Sequence, residues 1–197
     1  EAIAICQEAI RLADQSDMTQ HSAILHLHIH LLEMSSEPEQ AMDSADRLGQ
    51  LARDAGHIHH MPGHIYVLCG QYERAKAASE KAIAADKKYL EYAGPYNYYT
   101  TSRCHNLHLM MYACMHLAQF EAALLAAEEI CKNLTPDIMK LKNKPFIMHT
   151  MEGYFSMKMH VLIRFGKWQE IIDAAMPDNA ELYCVSTSMH HYAKTVA

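Results

Sequence analysis

Fifteen of the 197 residues are histidine, and several are spaced for metal chemistry. His26 and His30 are four residues apart, as are His60 and His64, and the second pair follows the first by 34 residues. On a helix, residues i and i+4 project from one face, so each pair offers two imidazoles to a single ion. Helices that pack side by side lie about 8–10 Å apart, close enough for the four rings to converge on one ion or on two neighbouring ones. His105 and His108 supply a third face, and Glu33, three residues after His30, adds a carboxylate to the first stripe. His57, Tyr112 and His160 are further candidates, as ligands, acid/base groups or substrate contacts. An imidazole-rich set suits Zn, Cu, Fe, Mn or Ni, and ligation by Glu33 and Tyr112 would favour the harder Fe or Mn.

The elements that must position these side chains are helices. Half of the residues are apolar, Gly and Pro are scarce, and Ala, Leu, Met, Glu and Lys are abundant. Self-similarity is visible along the chain. The segment starting Gly70-Gln71-Tyr72 is echoed 48 residues later as Ala118-Gln119-Phe120, and after a further 48 as Gly166-Lys167-Trp168. Ser36-Glu37-Pro38 holds the equivalent place 34 residues before Gly70. Each echo is a turn, an aromatic residue or proline, and then an alanine-rich amphipathic stretch. Ala75, Ala78, Ala82 and Ile83 have the spacing that lets two helices approach closely. The expected map places one set of helices at about 20–34, 57–69, 96–117 and 145–165. It alternates with a second set at about 38–53, 72–86, 120–132 and 168–176, after a helix at 1–14 and before a last one from about 179.

A unit of two helices and 34 residues resembles the tetratricopeptide repeat. The match is most specific in the second unit, where Gly63, Tyr66, Gly70, Tyr72, Ala75 and Ala82 fall at that family's small and aromatic positions. The resemblance implies an all-α superhelix, or solenoid, as one domain over 1–197. It would comprise a half repeat at 1–15, repeats at about 20–53, 57–88, 96–133 and 145–176, and a terminal helix at about 179–197. It also implies a concave groove lined by Ala23, His26 and His30; His57, His60 and His64; His105, His108 and Tyr112; and Gly153, Ser156 and His160. Eight of these twelve are histidine, whereas the chain's own frequency, 15 in 197, would place about one there. The segment His57-Ile58-His59-His60-Met61-Pro62-Gly63-His64-Ile65-Tyr66 resembles an H-x-x-H-M-P-x-H-I-[YF] element of a group of bacterial tetratricopeptide proteins. His105-Asn106-Leu107-His108, His26-Leu27-His28-Ile29-His30 and Arg164-Phe165-Gly166-Lys167-Trp168 resemble further elements of that group, in the same order. Leu109, Met110 and Met111 depart from it where aromatic residues are usual.

Other classes are disfavoured. The net charge is −6, and no basic block exceeds Asp86-Lys87-Lys88 or residues 140–144, which argues against nucleic acid or anionic lipid as a partner. No apolar run has the length of a membrane span, and no leader opens the chain, so a cytoplasmic protein is expected. The helical pattern starts at Glu1 without a Met, which reads as a segment of something longer. The six cysteines form no C-x-x-C pair and read as buried thiols. Phosphate loops, G-x-S-x-G and H-E-x-x-H are absent.

The isolated histidines His21, His28, His59, His116, His149, His190 and His191 read as packing residues. Met110, Met111 and Met115 read as core filler, and the tyrosines at 89, 92, 96, 98 and 99 as helix-end packing or a lid. Eight imidazoles crowded into one groove without an ion would suppress one another's protonation and leave many ring nitrogens needing partners. Two readings follow. In one, His26, His30, His60, His64, His105 and His108 hold a transition metal, with or without catalysis. In the other, a non-enzymatic scaffold takes a small molecule, a peptide or a partner protein into the groove.

Overall fold

In the computed structural model, residues 1–16, 21–51, 54–139 and 145–197 are described, without the side chains of 136 and 145–148. The basic stretch at 140–144 lies outside them. The chain is all-helical, with no strand among the described residues. Two compact units are present, Glu1–Tyr92 and Ala93–Ala197.

The first unit begins with α1 (Ala2–Asp14), α2 (Ser22–Glu33), a 3₁₀ turn (Pro38–Ala41) and α3 (Met42–Leu48). It continues with α4 (Gly56–Leu68) and α5 (Tyr72–Ala93). In α2 the buried residues Leu25, His28, Ile29 and Leu32 recur at i, i+3, i+4 and i+7, one face of a 3.6-residue period. That face packs on α1, α3 and α4. Each fully buried Leu or Ile contributes about 1.5–3 kcal/mol to holding it there. The neighbouring face, one residue on, carries His26, His30 and Glu33, so the apolar stripe fixes the direction in which these three point. α5 runs seven residues past its expected end at 86, because helix formers continue until Gly94, which takes a left-handed φ of 69°. Ala75, Ala78 and Ala82 are buried, as the small-residue spacing predicts, and Ala85 continues the stripe, whereas Ile83, expected with them, is only half-buried.

The second unit holds α6 (Tyr99–His116), α7 (Phe120–Asn133), the single turn α8 (Pro136–Met139) and α9 (Pro145–Glu152). A 3₁₀ turn (Gly153–Ser156), α10 (Met157–Arg164), α11 (Trp168–Asp173) and α12 (Cys184–Val196) complete it. The single helix expected at 145–165 is thus interrupted. Glycine is a poor helix former, and the Ser156 hydroxyl donates back to the Gly153 carbonyl at 2.6 Å, tightening that turn.

The 48-residue echo corresponds to one repeated device. α4, α6 and α10 each stop at a residue with positive φ: Gly70 at 71°, Ala118 at 56° and Gly166 at 63°. In each, the next amide donates to the carbonyl five residues back: Gln71 to Tyr66 at 2.7 Å, Gln119 to Cys114 at 3.0 Å and Lys167 to Leu162 at 2.9 Å. This is the Schellman stop, and it reverses the chain before Tyr72, Phe120 and Trp168 start the next helices. The Ser36 position does not use it; there the chain turns through the 3₁₀ segment containing Pro38.

No helix among the described residues is long and apolar enough to cross a membrane. All six cysteines are free, and Cys6, Cys104 and Cys114 are buried as expected. Burial pushes the Cys104 thiol up to about 12. Cys69 and Cys131 are only half-buried, and Cys184 departs furthest from the expectation: it is exposed, with its thiol 3.5 Å from Glu152 Oε1.

Candidate metal centre

Two helices of the first unit face one another with imidazoles. α2 contributes His26 and His30, and α4 contributes His57, His60 and His64, which recur at i, i+3 and i+7 and so share one stripe. Ring centroids lie 4.6 Å apart for His26/His30, 5.0 Å for His26/His57 and 4.7 Å for His60/His64. Longer steps of 6.3 Å for His57/His60 and 6.5 Å for His30/His64 close the five rings into a loop.

Within that loop, His26, His30 and His57 each offer a nitrogen within 4.8 Å of the others, and the three could hold a metal ion. Two contacts join like nitrogens: His26 Nε2 to His57 Nε2 at 3.0 Å, and His60 Nε2 to His64 Nε2 at 2.7 Å. In the absence of an ion each is an N–H···N hydrogen bond, in which one ring must donate and the other accept. With metal–nitrogen bonds of about 2.0–2.1 Å, ligand nitrogens at those separations subtend roughly 80–95° at an ion, tighter than the tetrahedral angle of zinc and close to that of adjacent ligands in a tetragonal site.

Glu33 decides the tautomers. It is only 15% exposed, and its two oxygens go to different rings: Oε1 accepts from His30 Nδ1 at 2.6 Å, and Oε2 accepts from His64 Nδ1. A carboxylate only accepts, so both Nδ1 atoms carry the proton, and both Nε2 atoms present a lone pair. Glu33, which the sequence offered as an added ligand, is placed behind two of the rings, in the carboxylate–histidine arrangement that orients metal-bound imidazoles.

Burial is the main cause that lowers the His26, His57 and His64 pKa values, and neighbouring imidazoles lower them further. Glu33 opposes this in all three. The rings are therefore held as neutral bases, the form that ligates.

The other sequence candidates belong to the second unit. His105 and His108 lie on α6, and no group of three ligand atoms forms within that unit among the described residues. His108 packs edge-on to Tyr154 with centroids 5.7 Å apart. Burial lowers its pKa, and the charge of His160 lowers it further. His160 is itself lowered by burial. Tyr112 is 39% exposed and tilts against His116 at 4.6 Å. Of the isolated histidines, His28 is buried with Nδ1 2.9 Å from Ser44 Oγ, and His190 donates from Nδ1 to the Ser186 carbonyl at 2.7 Å, both in packing positions.

His57 stands beside His26 in the structure, although the sequence ranked it behind His60 and His64. Its i, i+3, i+7 register with those two was the signal that would have promoted it. Nothing in the sequence indicates that one carboxylate serves rings on two helices.

No protein-family model, curated protein or solved structure matches this chain.

Proposed function

We propose that this is a helical-hairpin repeat protein of tetratricopeptide type whose first unit binds a transition-metal ion through His26, His30 and His57. Successive packed helices and the thrice-used Schellman stop support the repeat reading. The observation that carries the metal reading is the fixed pair of Nδ1–H groups on Glu33, beside three imidazole nitrogens within 4.8 Å of one another. The three grouped ligands are all imidazoles, and Glu33 is already engaged by His30 and His64. An imidazole set favours zinc or copper over the iron and manganese that an oxygen-rich set would take.

Elemental analysis of protein made without a polyhistidine tag tests this. Zinc or copper at one or more equivalents per chain is expected, with loss from this site on combining His26→Ala and His57→Ala while the helical circular dichroism persists. A metal-free protein whose melting is indifferent to chelators and to added zinc would overturn it, and would leave the groove as a scaffold surface.

A further inference from the structure

Resting on that reading, we infer that the first unit holds two ions, one on His26, His30 and His57 and a second on His60 and His64. An imidazole bound through Nε2 puts its ring centroid about 3.2 Å from the ion, given metal–nitrogen bonds of about 2.0–2.1 Å. Two such rings in adjacent positions, at 90–109°, then have centroids about 4.5–5.2 Å apart. The pairs His26/His30, His26/His57 and His60/His64 fall in that range at 4.6, 5.0 and 4.7 Å.

The remaining spacings argue against one ion shared by all five rings. His57/His60 at 6.3 Å, His30/His64 at 6.5 Å and His30/His57 at 6.3 Å would each have to be nearly opposite pairs. A ligand has only one opposite partner, yet His30 and His57 would each need two. The five rings therefore divide. His30 and His57 form the nearly opposite pair of one ion with His26 between them, and His60 and His64, one helical turn apart, grip another.

The bonding of Glu33 fits this division. It takes Nδ1–H from one ring of each set, His30 of the first and His64 of the second, and so aims one lone pair into each site.

The test is the stoichiometry of the full tag-free chain, stripped of metal and titrated with zinc alone, read by elemental analysis after gel filtration and by calorimetry. Two equivalents are expected for the unaltered chain. Combining His60→Ala and His64→Ala should leave one, bound by the triad. A single equivalent in the unaltered chain overturns the two-ion inference while the function proposed above survives; none overturns both. Two equivalents persisting in the double variant overturn the assignment of the second ion to this pair. Should that variant lose its helical dichroism, His64→Gln, which keeps the side-chain volume and an amide on Glu33, is measured instead, with the same loss of one equivalent expected. With copper, electron paramagnetic resonance adds an independent readout: a dipolar-broadened pair signal in the unaltered chain, and a sharp mononuclear signal in the variant.

Discussion

Each unit shelters a carboxylate, and the two are used differently. Glu152, at 2% exposure in the second unit, accepts from the backbone amides of Val185 at 2.8 Å and Ser186 at 3.2 Å. The Ser186 hydroxyl donates to the Glu152 carbonyl at 2.6 Å. These amides are in the first turn of α12, where donors have no partner within the helix, so Glu152 caps that helix from another part of the chain. Glu33, in the first unit, accepts from no backbone amide among the described residues. Its partners are two titratable rings that can themselves bind something else. A carboxylate that ends on backbone amides is a fastening, whereas one that ends on imidazoles sets which ring nitrogens carry the proton.

The two should therefore fail in opposite ways. Glu152→Ala strands two amides, while the Ser186 hydroxyl keeps its bond to the backbone carbonyl of residue 152, and hydrogen bonds to a charged group are worth about 1.5–3 kcal/mol each at most. A loss of about 3 kcal/mol in the second unit's stability is expected from denaturant melts, with metal content unchanged. Glu33→Gln should do the reverse: removing an orienting partner typically weakens metal binding about 10–100-fold, with a melt of the metal-free protein close to that of the unaltered chain. Calorimetric zinc affinity reads the second change. If Glu33→Gln melts like Glu152→Ala and binds zinc normally, the contrast between the two carboxylates fails.

Much of this was legible in advance and some was not. The apolar period at Leu25, Ile29 and Leu32 fixes which way α2 turns, and so delivers His26 and His30 to one face without further information. The 48-residue echo around Gly70, Ala118 and Gly166 foretold three identical helix ends, because a left-handed residue after a helix leaves a local mark. The break at Gly153 and the seven extra residues of α5 were not foretold; they depend on how weakly or strongly a few residues hold a helix, which periodicity does not measure. The role of Glu33 was out of reach for another reason. His30 is three residues away and foreseeable, but His64 is on a different helix, and only packing brings it to Oε2.

Acid should separate the units next. In the first, His26, His28, His57 and His64 all have pKa values lowered chiefly by burial; in the second, among the described residues, His108 and His160 do. A histidine whose folded pKa is depressed is neutral in both states above about pH 6.5, its ordinary value. It contributes its full share there. Below that pH the unfolded chain takes up the proton first, so stability is lost as pH falls from about 6.5 toward the lowered folded values. Metal-free protein followed by residue-resolved hydrogen exchange between pH 7 and 5 should show the first unit losing protection more steeply. Bound zinc should hold that protection at pH 7 and release it over the same interval, since protons compete for the same nitrogens. Equal slopes in the two units would contradict the concentration of neutral imidazoles on α2 and α4.

The smallest expected effect provides a control for both carboxylates. Ala118 is the one non-glycine residue with positive φ among the described residues, at 56°, in a position where its two counterparts are glycine. A side chain in the left-handed region costs about 1–2 kcal/mol, offset in part by the extra freedom that glycine brings to the unfolded chain. Ala118→Gly should therefore stabilise the second unit by about 0.5–1 kcal/mol, a rise of a few degrees in its melting midpoint, and leave zinc affinity in the first unit where it was. Because the change touches neither Glu33 nor Glu152, it tells stability apart from ligation. If a modest gain in the stability of the second unit also tightens zinc binding, the loss of affinity in Glu33→Gln would have to be re-read as a consequence of stability rather than of imidazole orientation.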